Sequence, residues 1–534
     1  MANIQAILSI CAVKNYPATY LIGQNDRFGI SIIEQQQKAL GLAWALIESG
    51  KVKKNSKIAI VGGGFSGLTC ALALSSKAKC KVKIFEKRSC LLPILDNAYW
   101  RWITPFQEYL DTEFYSDQTD LPFLNWKSNF GWAIARQIRS KWAKYSRQYG
   151  IETILNAHVS VPKAIKEKPK VIVKNRHLEF DIVILATGFG IETTSHKFDP
   201  TTYWTSGFKE NYINTSNSKK TVFISGTGDG GIVEACHYAF ENFVHDEINQ
   251  LYPSIYGLAL QEILQNFERH RSIAAQKDIQ EDNLQFLYWC SSPKTKKSLD
   301  LINKLRSLPP SRRRTTRLKL LKIYQNENQE KYSSWIKDFK FIKQDLDLLR
   351  SRSSNRFRII MNGKNKDPFT ISDRTNPFNQ LLLSAMIQLG LVTYKCATID
   401  TKAIRRNRNK IVVPIQTTRG KTLIHADRLV LRHGSKNHFK KEFPKLKVRE
   451  NYLVEEDGSI TDWSSLRQGS SFLREYFRDN DLMQFILDNR IDDVTAMEGA
   501  RFLELKKRLE QEKPNGFKSK PTNKKLSTGP KVGR

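Results

Sequence analysis

Two glycine turns carry the chemistry legible in this chain. The first lies in Ile58–Leu74, IAIVGGGFSGLTCALAL, where Gly62, Gly64 and Gly67 follow an apolar run at G-x-G-x-x-G spacing. In such a turn the first glycine allows the tight bend. The second lets the backbone approach a pyrophosphate, and the third lets helix and strand pack closely. The anion then rests on free amides at a helix N-terminus, which adds Phe65 and Ser66 to the binding positions. Glu86 stands 19 residues after Gly67, at the end of the next strand, KVKIFEKR. A carboxylate there accepts the hydrogen bonds of a ribose diol, and the adjacent Lys87 is counted with the site.

The second turn lies in Phe223–Ala235, FISGTGDGGIVEA, with Gly226, Gly228 and Gly231 in the same spacing. Asp229 sits badly beside a pyrophosphate unless it points away, caps the helix or hydrogen-bonds a ribose; capping is the ordinary role of aspartate at a helix start. Two other readings stay open: a degenerate turn that merely ends a strand, and a turn that touches the first dinucleotide. Lys364 and Lys366 follow the strand RFRIIMNG, where cations can meet a 2′-phosphate or simply face solvent.

The elements that must position these turns follow from periodicity. FGISIIEQQQKALGLAWALIESG, 28–50, has helical spacing and ends at Gly50. A helix is expected from the first turn to about Lys77, another over NFGWAIARQIRSKWAKYSRQYG, and one from the second turn to about Phe243. HVSVPKAIKEKPKVIVKNRHLEFDIVILATGFG reads as short antiparallel strands and then a buried strand ending at Thr187-Gly188. Strands are expected at 356–363, 392–398, 409–416 and 426–434, with a helix near 377–389.

At these residues the chain resembles the two-dinucleotide-binding-domain flavoproteins, the superfamily of pyridine-nucleotide-dependent flavin reductases and flavin monooxygenases. Besides the first turn and its acid, FDIVILATGFG looks like the strand and A-T-G turn that close the first FAD segment. GTGDGG falls where the family places its NAD(P)H loop, and 389–434 looks like the β-ribbon, acid–apolar strand and glycine that end the NAD(P)H domain. The resemblance implies an α/β fold, an FAD-binding Rossmann-type domain plus a second, NAD(P)-binding-like Rossmann domain; in a departure from the family, that second domain is expected to carry a large helical insertion. It implies that Gly62, Gly64, Gly67 and Glu86 hold FAD with Thr187 and Gly188 nearby. Gly226, Gly228, Asp229 and Gly231 would serve NAD(P)H. The corresponding division is a helical lead over 1–56, the FAD domain over 57–200, the second domain over 201–440 with its insertion at about 245–355, a mostly helical 441–512, and a disordered basic tail over 513–534.

The chain also departs from that family. It has no C-x-x-C, so a thiol relay is disfavoured. FGIETTSHKF only loosely matches a monooxygenase signature. No Gly-Asp turn follows residue 434, where the second half of the FAD grip is usual. Tyr99, Arg101 and Trp102, in NAYWRWITPF, are placed to be near a flavin, although aromatic packing accounts for them equally well.

Charge adds a second theme. The formal net charge is +33, and Lys294–Lys322 holds eleven Lys/Arg against Asp300 alone. With the seven cations of Lys513–Arg534, this block is a solvated face or an arm for nucleic acid or an acidic protein. Seven scattered cysteines argue against a disulfide framework, and no signal peptide or membrane span is read, so a cytoplasmic location is expected. Two functions follow: an FAD-dependent oxidoreductase using NAD(P)H, or a non-catalytic dinucleotide-binding regulator that docks a partner through its basic insertion.

Overall fold

The structure, a computed structural model, describes residues 2–23, 31–105, 121–162, 168–188, 219–241, 332–341, 343–369 and 377–434, with short stretches between and beyond them. Chain contacts separate Met1–Gln484 from Phe485–Arg534, and the second unit lies outside the described residues. So do the basic tail over 513–534 and the block 294–322, apart from Asp300 and Ser307.

Strands β1 (Thr19–Leu21), β2 (Lys57–Val61), β3 (Lys81–Phe85), β4 (Glu152–Ile154) and β5 (Ile182–Leu185) form one sheet in the order β1-β5-β2-β3-β4. Every pairing is parallel. A parallel sheet is covered on both faces, which is why β5 is buried at all four residues and β2 from Ile58 to Val61. Helix α2 (Phe65–Ala78) packs on it, and α1 (Ile32–Glu48) and α3 (Gly131–Gln148) pack on α2. On α3 the buried Ile134, Ile138, Trp142 and Tyr145 fall on one face at helical spacing.

The expected helical lead therefore contributes a strand to the first sheet. TYL is too short to show a strand period in sequence, but all three residues, Thr19–Leu21, are buried. Strand β1 lies beside β5, and α1 packs on α2. Gln36, fully buried on α1, donates to the Thr69 hydroxyl and the Leu124 carbonyl (both 3.2 Å) and accepts from the Trp126 indole (2.9 Å).

A second parallel sheet holds β6 (Lys220–Ser225), β7 (Phe357–Gly363), β8 (Val392–Cys396) and β9 (Arg428–Leu431) in the order β8-β7-β6-β9. Helices α4 (Asp229–Ala239) and α5 (Pro377–Gln388) pack against it. Helix α4 stops short of Phe243 because Phe240 turns extended and bridges to Ser353. Each sheet carries an antiparallel ribbon: Val159–Ser160, Lys170–Val173 and Arg176–Glu179 in the first half, and strands between Thr398 and Ala426 in the second. In the region expected to be mostly helical, 441–512, Tyr452–Val454 pairs with Ile460–Asp462, and Lys447–Val448 pairs with Val13–Lys14. Asp457-Gly458 between the first two strands is the hairpin signal that a helical reading passes over. Among the described residues, no helix is long and apolar enough to cross a membrane.

Candidate dinucleotide-binding sites

The first turn is built by backbone proximity. Gly62 has φ +117°, and a Cβ there would collide with the Ala186 carbonyl at the end of β5. A Cβ on Gly67 would strike the Gly62 carbonyl. Gly64 differs: it caps α2 in an extended conformation, and a Cβ would meet nothing within 4 Å. Two glycines are thus required by the fold and the middle one faces open space. No side chain caps α2, so no side-chain acceptor competes for its first-turn amides. The buried Glu86 carboxylate spans the turn, accepting from Gly63 N–H (2.7 Å) and Arg88 N–H (2.8 Å). Phe65 and Ser66 are buried, and the Phe65 ring packs on Trp126, so these residues offer backbone rather than side chain. Lys87 is exposed, and Thr187 and Gly188 stand half-buried just past β5, at the same edge of the sheet as Gly62.

The second turn repeats these contacts position by position. Gly226 has φ +124° and abuts the Arg432 carbonyl, Gly231 abuts the Gly226 carbonyl, and Gly228 caps α4 over open space. Gly62 donates to Phe85 O (2.8 Å) and Gly226 to Asn362 O (2.9 Å); Ala186 donates to Val61 O and Arg432 to Ser225 O, both at 2.8 Å. Asp181 accepts from Lys57 N–H and Asp427 from Thr221 N–H, again both at 2.8 Å, and each carboxylate also takes a lysine at 2.7 Å, Lys168 or Lys410. Ala186-Thr187-Gly188 thereby corresponds to Arg432-His433-Gly434, with positive φ at both closing glycines. The second turn is not degenerate in geometry. Asp229 does not cap α4: Gly228 holds the cap position, and the Asp229 carboxylate accepts from the Asn379 side chain (2.8 Å) on α5.

Residues 60–91 match the family model of the NAD(P)-binding Rossmann-like domain. This stretch runs from the end of β2 through the first turn and Glu86. No curated protein sequence matches the chain. Among solved structures, the bacillithiol disulfide reductase of Staphylococcus aureus is similar over 76% of this chain and 83% of its own, at 12% identity and a TM-score of 0.36. The NAD-dependent persulfide reductase of A. fulgidus is similar over 32% of this chain and 25% of its own (17% identity, TM-score 0.18). The water-forming NADH oxidase of Lactobacillus brevis is similar over 27% and 23% (19% identity, TM-score 0.16). With every score below 0.5, the fold rests on the strand order and the two turns.

Of the three flavin-neighbour candidates, Arg101 joins a buried cluster whose other members, Glu234, Arg432 and Asp199, the sequence did not single out. Arg101 is a buried link between the halves: its guanidinium pairs with Glu234 on α4 and lies 4.0 Å over the Tyr203 ring. Glu234 also takes Arg432 (2.7 Å), which in turn reaches Asp199 (3.3 Å). All four charged groups are nearly fully buried, two of each sign. Burial alone would raise the Glu234 carboxyl, but Arg101 and Arg432 hold it below the usual carboxylate range. The other two flavin-neighbour candidates do not join it. Trp102 packs edge-on against Phe130, and Tyr99, 48% exposed, leans on Trp132.

At the edge of the second sheet, the His433 ring lies 2.9 Å from the Ser225 hydroxyl, which is 3.0 Å from the Asn362 amide oxygen. Burial and then the Lys364 charge hold the His433 imidazole below its ordinary value. At the edge of the first sheet, Ile22 N–H donates to Leu185 O, which brings the end of β1 beside the A-T-G turn. Helix α1 must start at this same edge, because it returns the chain from β1 to the parallel strand β2. Its start is fixed by reciprocal Ser31–Glu34 hydrogen bonds of 3.2 Å each.

Proposed function

We propose that the chain is an FAD-dependent oxidoreductase that takes hydride from NAD(P)H. The observation that carries this reading is the repeated glycine turn, built with the same contacts at 62–67 and 226–231. One turn of this kind holds one dinucleotide; two of them in one unit fit a resident cofactor and a visiting one. The first is assigned to FAD, with the buried Glu86 carboxylate, held by Gly63 N–H, as the acid this reading gives to the adenosine ribose. Bound FAD supplies the hydride acceptance and electron release that side chains cannot. The chain binds, orients and excludes water: open space at Gly64 receives the pyrophosphate, and the α2 amides meet its charge.

The chemistry beyond hydride transfer does not run through the buried thiols. Burial pushes Cys80 up to about 12 and raises Cys70 and Cys236 further, so all three stay protonated and unreactive. No disulfide joins the described cysteines.

A second reading, a dinucleotide-sensing protein that docks an anionic partner, is favoured by one observation. The antiparallel ribbon of the second half exposes Arg405, Arg406, Arg408, Arg419 and Lys421. The absorption spectrum of the purified protein decides between the two: a flavin band bleached by anaerobic NADH or NADPH supports the enzyme. A colourless protein that cannot be reconstituted with FAD would sink it.

A further inference from the structure

The correspondence between the two halves can be carried one residue further than the turns. In the first half, Val61 pairs with Phe85, Gly62 donates to Phe85 O, and the next residue is Glu86. In the second half, Ser225 pairs with Asn362, Gly226 donates to Asn362 O, and the next residue is Gly363. The ribose-binding carboxylate of the first site is therefore matched by a glycine in the second, and Lys364 follows it. A Cβ on Gly363 would stand 2.8 Å from the Tyr394 hydroxyl and 2.9 Å from Thr227 Cγ2, so a carboxylate-bearing residue there would require both side chains to shift.

The loop that follows is anchored. Tyr394 donates to Asn365 O (2.6 Å), and the Cys396 thiol lies 3.5 Å from Lys364 O. Lys364 and Lys366 are exposed on it. The charge of Lys364 reaches His433, at the edge of the turn. A ribose diol has lost its acceptor at this site, and a cation stands at its rim.

We propose that the second glycine turn selects an adenine dinucleotide carrying a 2′-phosphate on its ribose, with Lys364 as the residue that meets that phosphate. This rests on the reading of the second turn as a nucleotide site. A free hydroxyl is best held by a carboxylate, and a phosphate is repelled by one. A glycine followed by an anchored lysine inverts that preference.

Isothermal titration of the full-length, flavin-loaded protein with NADP⁺ and with NAD⁺ tests the assignment. NADP⁺ is expected to bind at least about tenfold more tightly at low salt, with the margin shrinking as ionic strength rises. Lys364→Ala should erase most of that margin, and Lys364→Glu should reverse it, while NAD⁺ affinity changes less than threefold. Because Lys364 is exposed, neither variant should alter the melting temperature. Equal affinities in the wild type, or a preference for NAD⁺, would overturn the 2′-phosphate assignment and leave the nucleotide site standing. An unchanged ratio in Lys364→Glu would overturn the role of Lys364. Absence of binding by either nucleotide would overturn the nucleotide site itself, and this assignment with it.

Discussion

Gly64 and Gly62 lie two residues apart and are expected to fail in opposite ways. Gly64→Val places a branched side chain where the backbone is extended and nothing lies within 4 Å, so the fold should accept it. That open space is where the pyrophosphate would sit. Losing two charge-assisted amide contacts at about 1.5–3 kcal/mol each costs roughly 3–6 kcal/mol, or about 10²–10⁴ in FAD affinity. Gly62→Ala attacks the fold instead. Its φ of +117° suits glycine alone, and its Cβ meets the Ala186 carbonyl. Backbone strain of about 1–3 kcal/mol adds to about 1–3 kcal/mol of overpacking. The assay is the ratio of flavin absorbance to protein, read beside a circular-dichroism melt of each apoprotein. Gly64→Val should purify colourless with the melting temperature of wild-type apoprotein, whereas Gly62→Ala should melt several degrees lower. Retention of a full flavin complement by Gly64→Val would refute the placement of the pyrophosphate. Loss of flavin together with a collapse in melting temperature would show that the open space is structural.

Gly228→Val should leave FAD bound and abolish bleaching by anaerobic NADPH, since its Cβ also meets open space. Glu234→Ala leaves Arg101 and Arg432 buried without their shared carboxylate and should cost about 3–5 kcal/mol, measured by urea denaturation. The same carboxyl, held low in the fold, stabilises the protein above its unfolded pKa of about 4.3, and that contribution disappears as pH falls through the lower folded value. Glu234→Gln should therefore be less stable than wild type at pH 7 and lose this part of the acid-limb slope. If the basic block binds nucleic acid, affinity should fall with salt at a log–log slope of roughly −0.9 per phosphate contacted on duplex DNA, and neutralising Arg312, Arg313 and Arg314 should flatten it by up to about three. No binding at low salt in an anisotropy titration would leave these charges as a solvated face.

The first site was legible because its parts are local: strand, turn, helix, strand and acid fall within Ile58–Glu86, where periodicity and spacing say nearly everything. The second was only half legible. Its turn reads well in sequence, but the strand that follows its helix begins at Phe357, so the residue matching Glu86 emerges only from the register of Ser225 with Asn362. The Asp229 puzzle needed α5, which brings Asn379 from 150 positions away. Strand β1 escaped notice because three buried residues show no period. Arg101, Asp199, Glu234 and Arg432 could not be grouped from sequence, since burying four charges together is a tertiary event.

The place of Thr19–Leu21 also has a temporal side. Tyr20 pairs with Ile184, which leaves the ribosome 164 residues later. At about 5–20 residues per second, the N-terminal strand waits roughly 8–33 s for its partner. During that interval its apolar side chains are exposed to the cell without their partner strand. The protein should thus be prone to early aggregation and responsive to chaperones that hold nascent chains. A truncation that begins near residue 50 would remove this delay and leave Ile182–Leu185 as a raw sheet edge, ready to recruit another chain.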